Sequence, residues 1–115
     1  MTRYLLLIHD DESVWESLGE ADRQARTAVY GQLYEDMAAA GHAVDGDGLA
    51  NSATATVVRH DGDAIVRTDG PFAETKEQLA GYYIVDCDLE DAVAYAARIP
   101  ASAEGGVEVR AVGSG

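Results

Sequence analysis

Tyr4-Leu5-Leu6-Leu7-Ile8 is an unbroken apolar run near the start of the chain. Successive side chains of an extended strand point to opposite faces, so Leu5 and Leu7 share one face and Tyr4, Leu6 and Ile8 share the other. A strand that is apolar on both faces reads as a central strand, buried from two sides. Acids follow at once in Asp10, Asp11 and Glu12, and the run is far too short for a signal-peptide core or a membrane span.

Outward from this strand, Ser13-Val14-Trp15-Glu16 has the spacing of a capping box opening a short helix. Between Glu20 and Ala40, the residues Ala21, Ala25, Val29, Leu33, Met37 and Ala40 recur at spacings of four and three. That period predicts a long helix with one apolar stripe, and Gly41 stands where a C′ glycine belongs. Ala43 to Leu49 reads as a second strand, weakened by Asp45-Gly46-Asp47-Gly48. Thr54 to His60 and Asp63 to Thr68 are β-type runs separated by Asp61-Gly62, a pair suited to a tight hairpin because both turn positions need φ > 0. Asp69-Gly70-Pro71-Phe72 interrupts the chain, and Tyr82 to Cys87 forms the next strand. Asp88 caps a second helix carrying Leu89, Ala92, Val93, Ala96 and Ala97, which Pro100 ends, and Val107 to Val112 is a last strand.

The order β-α-β, a hairpin excursion, then β-α-β predicts an α+β fold: ferredoxin-like βαββαβ with an added β-hairpin. With 115 residues and 12.2 kDa, residues 1–115 make one domain. Two helices cover one face of the sheet, yet the first strand is apolar on two. A second copy laid sheet against sheet is the simplest cover, which predicts a homodimer; the alternative is a shallow, partly wetted ligand cleft.

Acids outnumber bases 21 to 8, for a formal charge of -13. Such a field repels phosphate backbones and anionic lipid heads, which argues against nucleic-acid and membrane partners. The single Cys87 excludes an intrachain disulfide and suits a reducing, cytoplasmic setting; its strand pattern reads as a buried, inert thiol. Asp45-Gly46-Asp47-Gly48 starts like a calcium loop, but Thr56 stands where the twelfth-position glutamate belongs. No metal-ligand spacing and no dinucleotide fingerprint is present, so neither a metal nor an organic cofactor is expected.

The stretch from Thr68 to Gly81 is the most unusual: Asp69-Gly70-Pro71-Phe72, then Glu74, Lys76 and Glu77. With Tyr4 to Ile8, Ala53 to Arg59, Gly81 to Val85 and Val107 to Arg110, these residues resemble the YCII-related family, and within it the branch named for its DGPF tetrapeptide. The resemblance extends over nearly the whole chain. It implies a dimeric α+β barrel with a cleft at the dimer sheet, in a superfamily that includes small-molecule lyases and isomerases. It also implies a regulatory context, since DGPF proteins are often encoded beside extracytoplasmic-function sigma factors. The YCII branch is associated with a His-Asp dyad whose histidine lies on the first long helix. This sequence departs there, because Glu20 to Ala40 contains no histidine.

Asp69 before Gly70-Pro71 suits a turn, with Phe72 plugging the core, or else a general base or ligand anchor at a strand end. Lys76, between Glu74 and Glu77, could pair with an anionic ligand or with surface acids. Arg59 and Arg110 lie on strands, where they could clamp a carboxylate bidentately or pair with Glu108 or Asp86. His9 ends the first strand beside Asp10 and Asp11, a place for acid–base chemistry or for a solvated loop. The expectation is one concave pocket on the open sheet face: Asp69 and His9 as catalytic candidates, and Arg59, Phe72, Glu74, Lys76, Tyr82 and Arg110 as ligand contacts. Two functions compete: a small-molecule-binding or regulatory module, and a lyase- or isomerase-type enzyme working by proton transfer.

Overall fold

The computed structural model describes residues 2–113. The apolar run lies within β1 (Thr2–Asp11), the central strand. It pairs antiparallel with β5 (Glu77–Cys87) on one side and β6 (Gly106–Ala111) on the other, while β2 (Ala43–Gly48) pairs with β5. The sheet order is β2-β5-β1-β6, an α+β arrangement compatible with a ferredoxin-like fold. The two faces of β1 behave as the alternation predicts. Leu6 and Ile8 are buried, whereas Leu5 and Leu7 on the opposite face are only half-buried.

The buried side of the sheet meets α2 (Glu20–Ala39), α3 (Leu89–Ala97) and the short α4 (Ala101–Glu104). Leu33 and Met37 from α2, Ala92 and Ala96 from α3, and Ile99 and Ala101 close on Leu6, Val85 and Cys87. Asp88 caps α3, its carboxylate accepting from Asp91 N at 2.8 Å, and Pro100 opens α4. Gly41 takes φ +76°, so α2 ends where a glycine permits the left-handed turn.

Four expectations need correction. The stripe on α2 is not Ala21, Ala25, Val29 and Ala40, which are exposed; the inward row is Arg26, Tyr30, Leu33, Tyr34 and Met37. That row keeps the same three-and-four spacing but is polar-tipped at its N-terminal end, so only the C-terminal half of α2 packs as core. The first short helix, α1 (Glu12–Ser17), is capped two residues earlier than the box suggests: Asp11 accepts from Ser13 N at 3.0 Å and from Ser13 Oγ at 2.7 Å.

The hairpin strands β3 (Thr56–Asp61) and β4 (Ala64–Asp69) form a two-stranded antiparallel sheet of their own, with Ser52–Thr54 as a 3₁₀ turn ahead of it. The turn is centred one residue later than expected. Asp61 pairs with Ala64, so Gly62-Asp63 is the loop, and only Gly62 has positive φ (+62°). Glycine at the first central position is the II′ requirement, which asks for one such residue rather than two. Finally, Phe72 does not plug the core: it is 80% exposed, with the Arg59 guanidinium 5.1 Å from its ring centroid. The hairpin stands off the main sheet with Val58 and Ile65 exposed. Accordingly the radius of gyration is 15.9 Å, against roughly 13 Å for a compact chain of this length. No helix among the described residues is long and apolar enough to cross a membrane.

Candidate functional site: a cavity beneath helix α2

Between the N-terminal half of α2 and the sheet lies a cavity of about 650 Å³. It exists because side chains are missing. Residues directly opposite on paired strands share a face. Gly46 faces Tyr83, Gly81 faces Ile8, and Gly48 faces Gly81, so all three glycines look toward α2, as the buried Ile8 and Tyr83 do. Of the three only Gly48 leaves open space, since a Cβ there would meet nothing within 4 Å, as at Gly31 on the helix side, whereas one at Gly81 would stand 2.9 Å from the Asp47 carbonyl oxygen. At Gly46 the gap admits an aromatic ring, since a Cβ there would stand 2.5 Å from Tyr83 Cδ1.

Aromatic rings line this space. Tyr83 stacks against Tyr30 and Tyr34, with centroids 6.5 and 6.3 Å apart, and its hydroxyl donates to the Tyr30 carbonyl at 3.0 Å. Burial pushes the Tyr83 phenol up to about 12 and raises that of Tyr30, so both rings stay neutral. Trp15 of α1 forms a further wall. Arg23 holds α1 to α2, donating to the Trp15 and Glu16 carbonyls at 3.0 Å with its guanidinium 5.3 Å from the indole. Glu12 accepts from Ser52 N at 2.7 Å, and Asn51 donates to Glu16 at 3.1 Å, which ties the 51–54 turn to α1.

A charged cluster sits at the end of β1. Arg26 donates both Nη groups to Glu104, at 3.0 and 2.6 Å, and lies 3.7 Å from Asp10 Oδ2. These side chains are largely shielded: Arg26 and Asp10 are 15% and 14% exposed. The Glu104 carboxylate holds the guanidinium charged, and Arg26 in turn holds Glu104 below the usual carboxylate range. Asp10 is displaced the other way. Desolvation raises it, Glu104 adds repulsion, and the Asp11 N–H and Arg26 only partly offset these. An aromatic-walled cavity with one elevated carboxyl can bind an organic molecule or exchange a proton with it.

The residues expected to share one pocket are distributed over four places. Asp69, Glu74 and Lys76 line a neighbouring groove of about 580 Å³, which shares Asp11 and Glu12 with the cavity; Lys76 Nζ lies 4.0 Å from Asp11 Oδ2. Asp69 itself is exposed. Arg59 and Phe72 stack on each other at the hairpin. Arg110 donates Nε to Glu108 at 2.8 Å, and His9 Nε2 lies 3.5 Å from the same carboxylate, both on the uncovered sheet face. Tyr82 touches the cavity rim and donates to Asp45 at 3.2 Å. Arg59 and Arg110 thus belong to different sheets, so no single face carries both. The residues that sequence reasoning missed are Asp10, Arg26, Tyr30, Glu104 and Trp15. The available signal was the row of glycines at 46, 48 and 81 in strand patterns, since such glycines mark a close approach or a space.

Comparison with other proteins gives kinship without an activity. An uncharacterized protein of Rhizobium meliloti (strain 1021), R00369, is 32% identical over 94 residues, spanning 81% of this chain and 76% of that protein. The family model of the YCII-related domain matches residues 2–114, and the chain therefore belongs to the YCII-related family.

Proposed function

We propose that this chain is a small-molecule-binding domain, working as a homodimer, with its ligand in the cavity beneath α2. The observation that carries this reading is the cavity. Its volume of about 650 Å³ lies within the range of organic ligand sites, and its walls pair aromatic rings with a few convergent polar groups. The dimer rests on the uncovered face, where Leu5 pairs with Ile84 and Leu7 with Tyr82 while the helices pack behind Leu6 and Val85. A second copy would remove this strip from water.

A specific observation favours a second activity at the same place. Asp10, raised by desolvation beside a ligand-sized space, suits proton transfer of the lyase or isomerase type. Both activities need the cavity open. Gly31 lines it, and a Cβ added there would meet nothing within 4 Å, so Gly31→Phe should obstruct the space without disturbing the sheet. A thermal-shift screen of a chemically diverse compound panel should give stabilising hits on the natural protein that vanish in this variant. Hits that stabilise Gly31→Phe equally would place the ligand elsewhere.

A further inference from the structure

We infer that the cavity takes an organic cation, an alkyl- or arylammonium compound, and discriminates against carboxylates and phosphates. This assignment of class presupposes that the cavity is a ligand site. Three acidic residues with side chains on this side, Asp10, Asp11 and Glu12, line the space, against Arg26 as the one basic residue of its lining among the described residues. Asp47 also lines it, but its side chain alternates with Gly46 and Gly48 to the opposite face. Arg26 is not free to clamp an anion. Both of its Nη groups are engaged by Glu104 in the two-pronged geometry that a ligand carboxylate would need, and Asp10 flanks it. An entering anion would meet uncompensated negative charge in a space shielded from water, where like charges repel more strongly than in bulk solvent.

A cation finds the reverse. Asp10 Oδ1 accepts from Asp11 N at 2.9 Å, but Oδ2 has only the guanidinium at 3.7 Å and remains open to a donor or a positive charge. Tyr30, Tyr34 and Tyr83 form a stacked set beside it, and neutral phenol and indole faces attract ammonium groups through their quadrupoles. The combination of rings with a shielded carboxylate is the chemistry that recognises alkylammonium ligands, whereas a neutral aromatic ligand leaves the Asp10 charge unused. The chain's formal charge of -13 further concentrates cations around it.

Trp15 is the only tryptophan and lines the cavity, so its emission reports occupancy directly. The test titrates the full-length protein with benzyltrimethylammonium and with phenylacetate, which share a phenyl ring and differ in charge. The expected result is saturable change with the cation at an affinity at least tenfold above that for phenylacetate. Asp10→Asn should cut the cation's affinity at least fivefold, and Gly31→Phe should abolish binding of both probes. Phenylacetate binding as tightly as the cation, in a manner lost in Gly31→Phe, would overturn the cation class and leave the cavity as a ligand site. An unchanged cation affinity in Asp10→Asn would overturn it as well. Binding of neither probe, or binding that Gly31→Phe does not affect, would overturn both the class and the cavity reading. The preference of the natural protein is measured without any variant, so a misfolded mutant cannot protect the inference.

Discussion

Gly31 and Gly46 both border the cavity, yet alanine at each should move stability in opposite directions. Gly31 lies inside α2 in ordinary helical backbone, and an added Cβ meets nothing within 4 Å. Alanine there removes backbone freedom from the unfolded chain, worth about 0.5–1 kcal/mol in favour of folding. Gly46 also has an ordinary φ, so backbone strain does not enter; the obstacle is steric. Its Cβ would lie 2.5 Å from Tyr83 Cδ1 and 3.1 Å from the Tyr82 carbonyl. Tyr83 is 5% exposed and stacked between two other tyrosines, so its ring cannot swing aside as a surface side chain would. Overpacking of this kind costs about 1–3 kcal/mol. The two single-methyl substitutions should therefore differ by about 1.5–4 kcal/mol, or on the order of 10 °C in Tm for a chain of this size. Thermal and urea unfolding followed by circular dichroism, at one protein concentration because a dimer's stability depends on it, measures the difference. Gly46→Ala as stable as the natural protein, or Gly31→Ala destabilised, would refute the account of how the cavity is built.

Three further outcomes follow from the same structure. Sedimentation at micromolar concentration should give twice 12.2 kDa, and Ile84→Asp on the uncovered face should give a folded monomer; a monomeric natural protein would remove the dimer from the proposal. Arg26 holds Glu104 below its unfolded value of 4.5, so its stabilisation is complete above that value and is lost as pH falls through the lower folded value. Urea midpoints should drop below about pH 4.5 less steeply in Glu104→Gln than in the natural protein. Asp10 acts in the opposite sense, its raised folded value favouring the protonated, folded form as pH falls, so it moderates the acid limb rather than causing it. Cys87 is fully buried and burial raises its thiol, so a thiol-directed reagent should modify it only as fast as the protein unfolds; prompt stoichiometric labelling in native buffer would contradict that placement.

Alternation made the sheet legible, and the same principle explains why the candidate site was not. Parity in Tyr4 to Ile8 distinguishes the two faces of β1, and Gly41 and Asp88 mark helix ends through local chemistry that needs no tertiary information. Periodicity failed on α2 because half of that helix roofs a cavity instead of a core. There Arg26 and Tyr30 take the inward positions that an apolar stripe would fill, and the alanines face water. Departures from local rules are expected where a protein keeps a site open. The cavity was hidden for a related reason: it consists of absent side chains, and Asp45-Gly46-Asp47-Gly48 reads as a poor strand until its register shows the glycines turned toward the helix. Its charges are just as invisible to spacing, Arg26 and Glu104 being 78 positions apart. Conversely, the conspicuous Asp69-Gly70-Pro71-Phe72 segment is partly accounted for by geometry, since Gly70 takes φ +105° while its N–H donates to the Ala55 carbonyl at 2.8 Å, closing the base of the hairpin. That requirement explains the glycine and says nothing about Asp69, Glu74 or Lys76. Those three border the groove that meets the cavity at Asp11 and Glu12, so a ligand longer than the cavity would extend toward them. Substitution at Asp69 therefore probes the extension of the site, and substitution at Asp10 probes its centre.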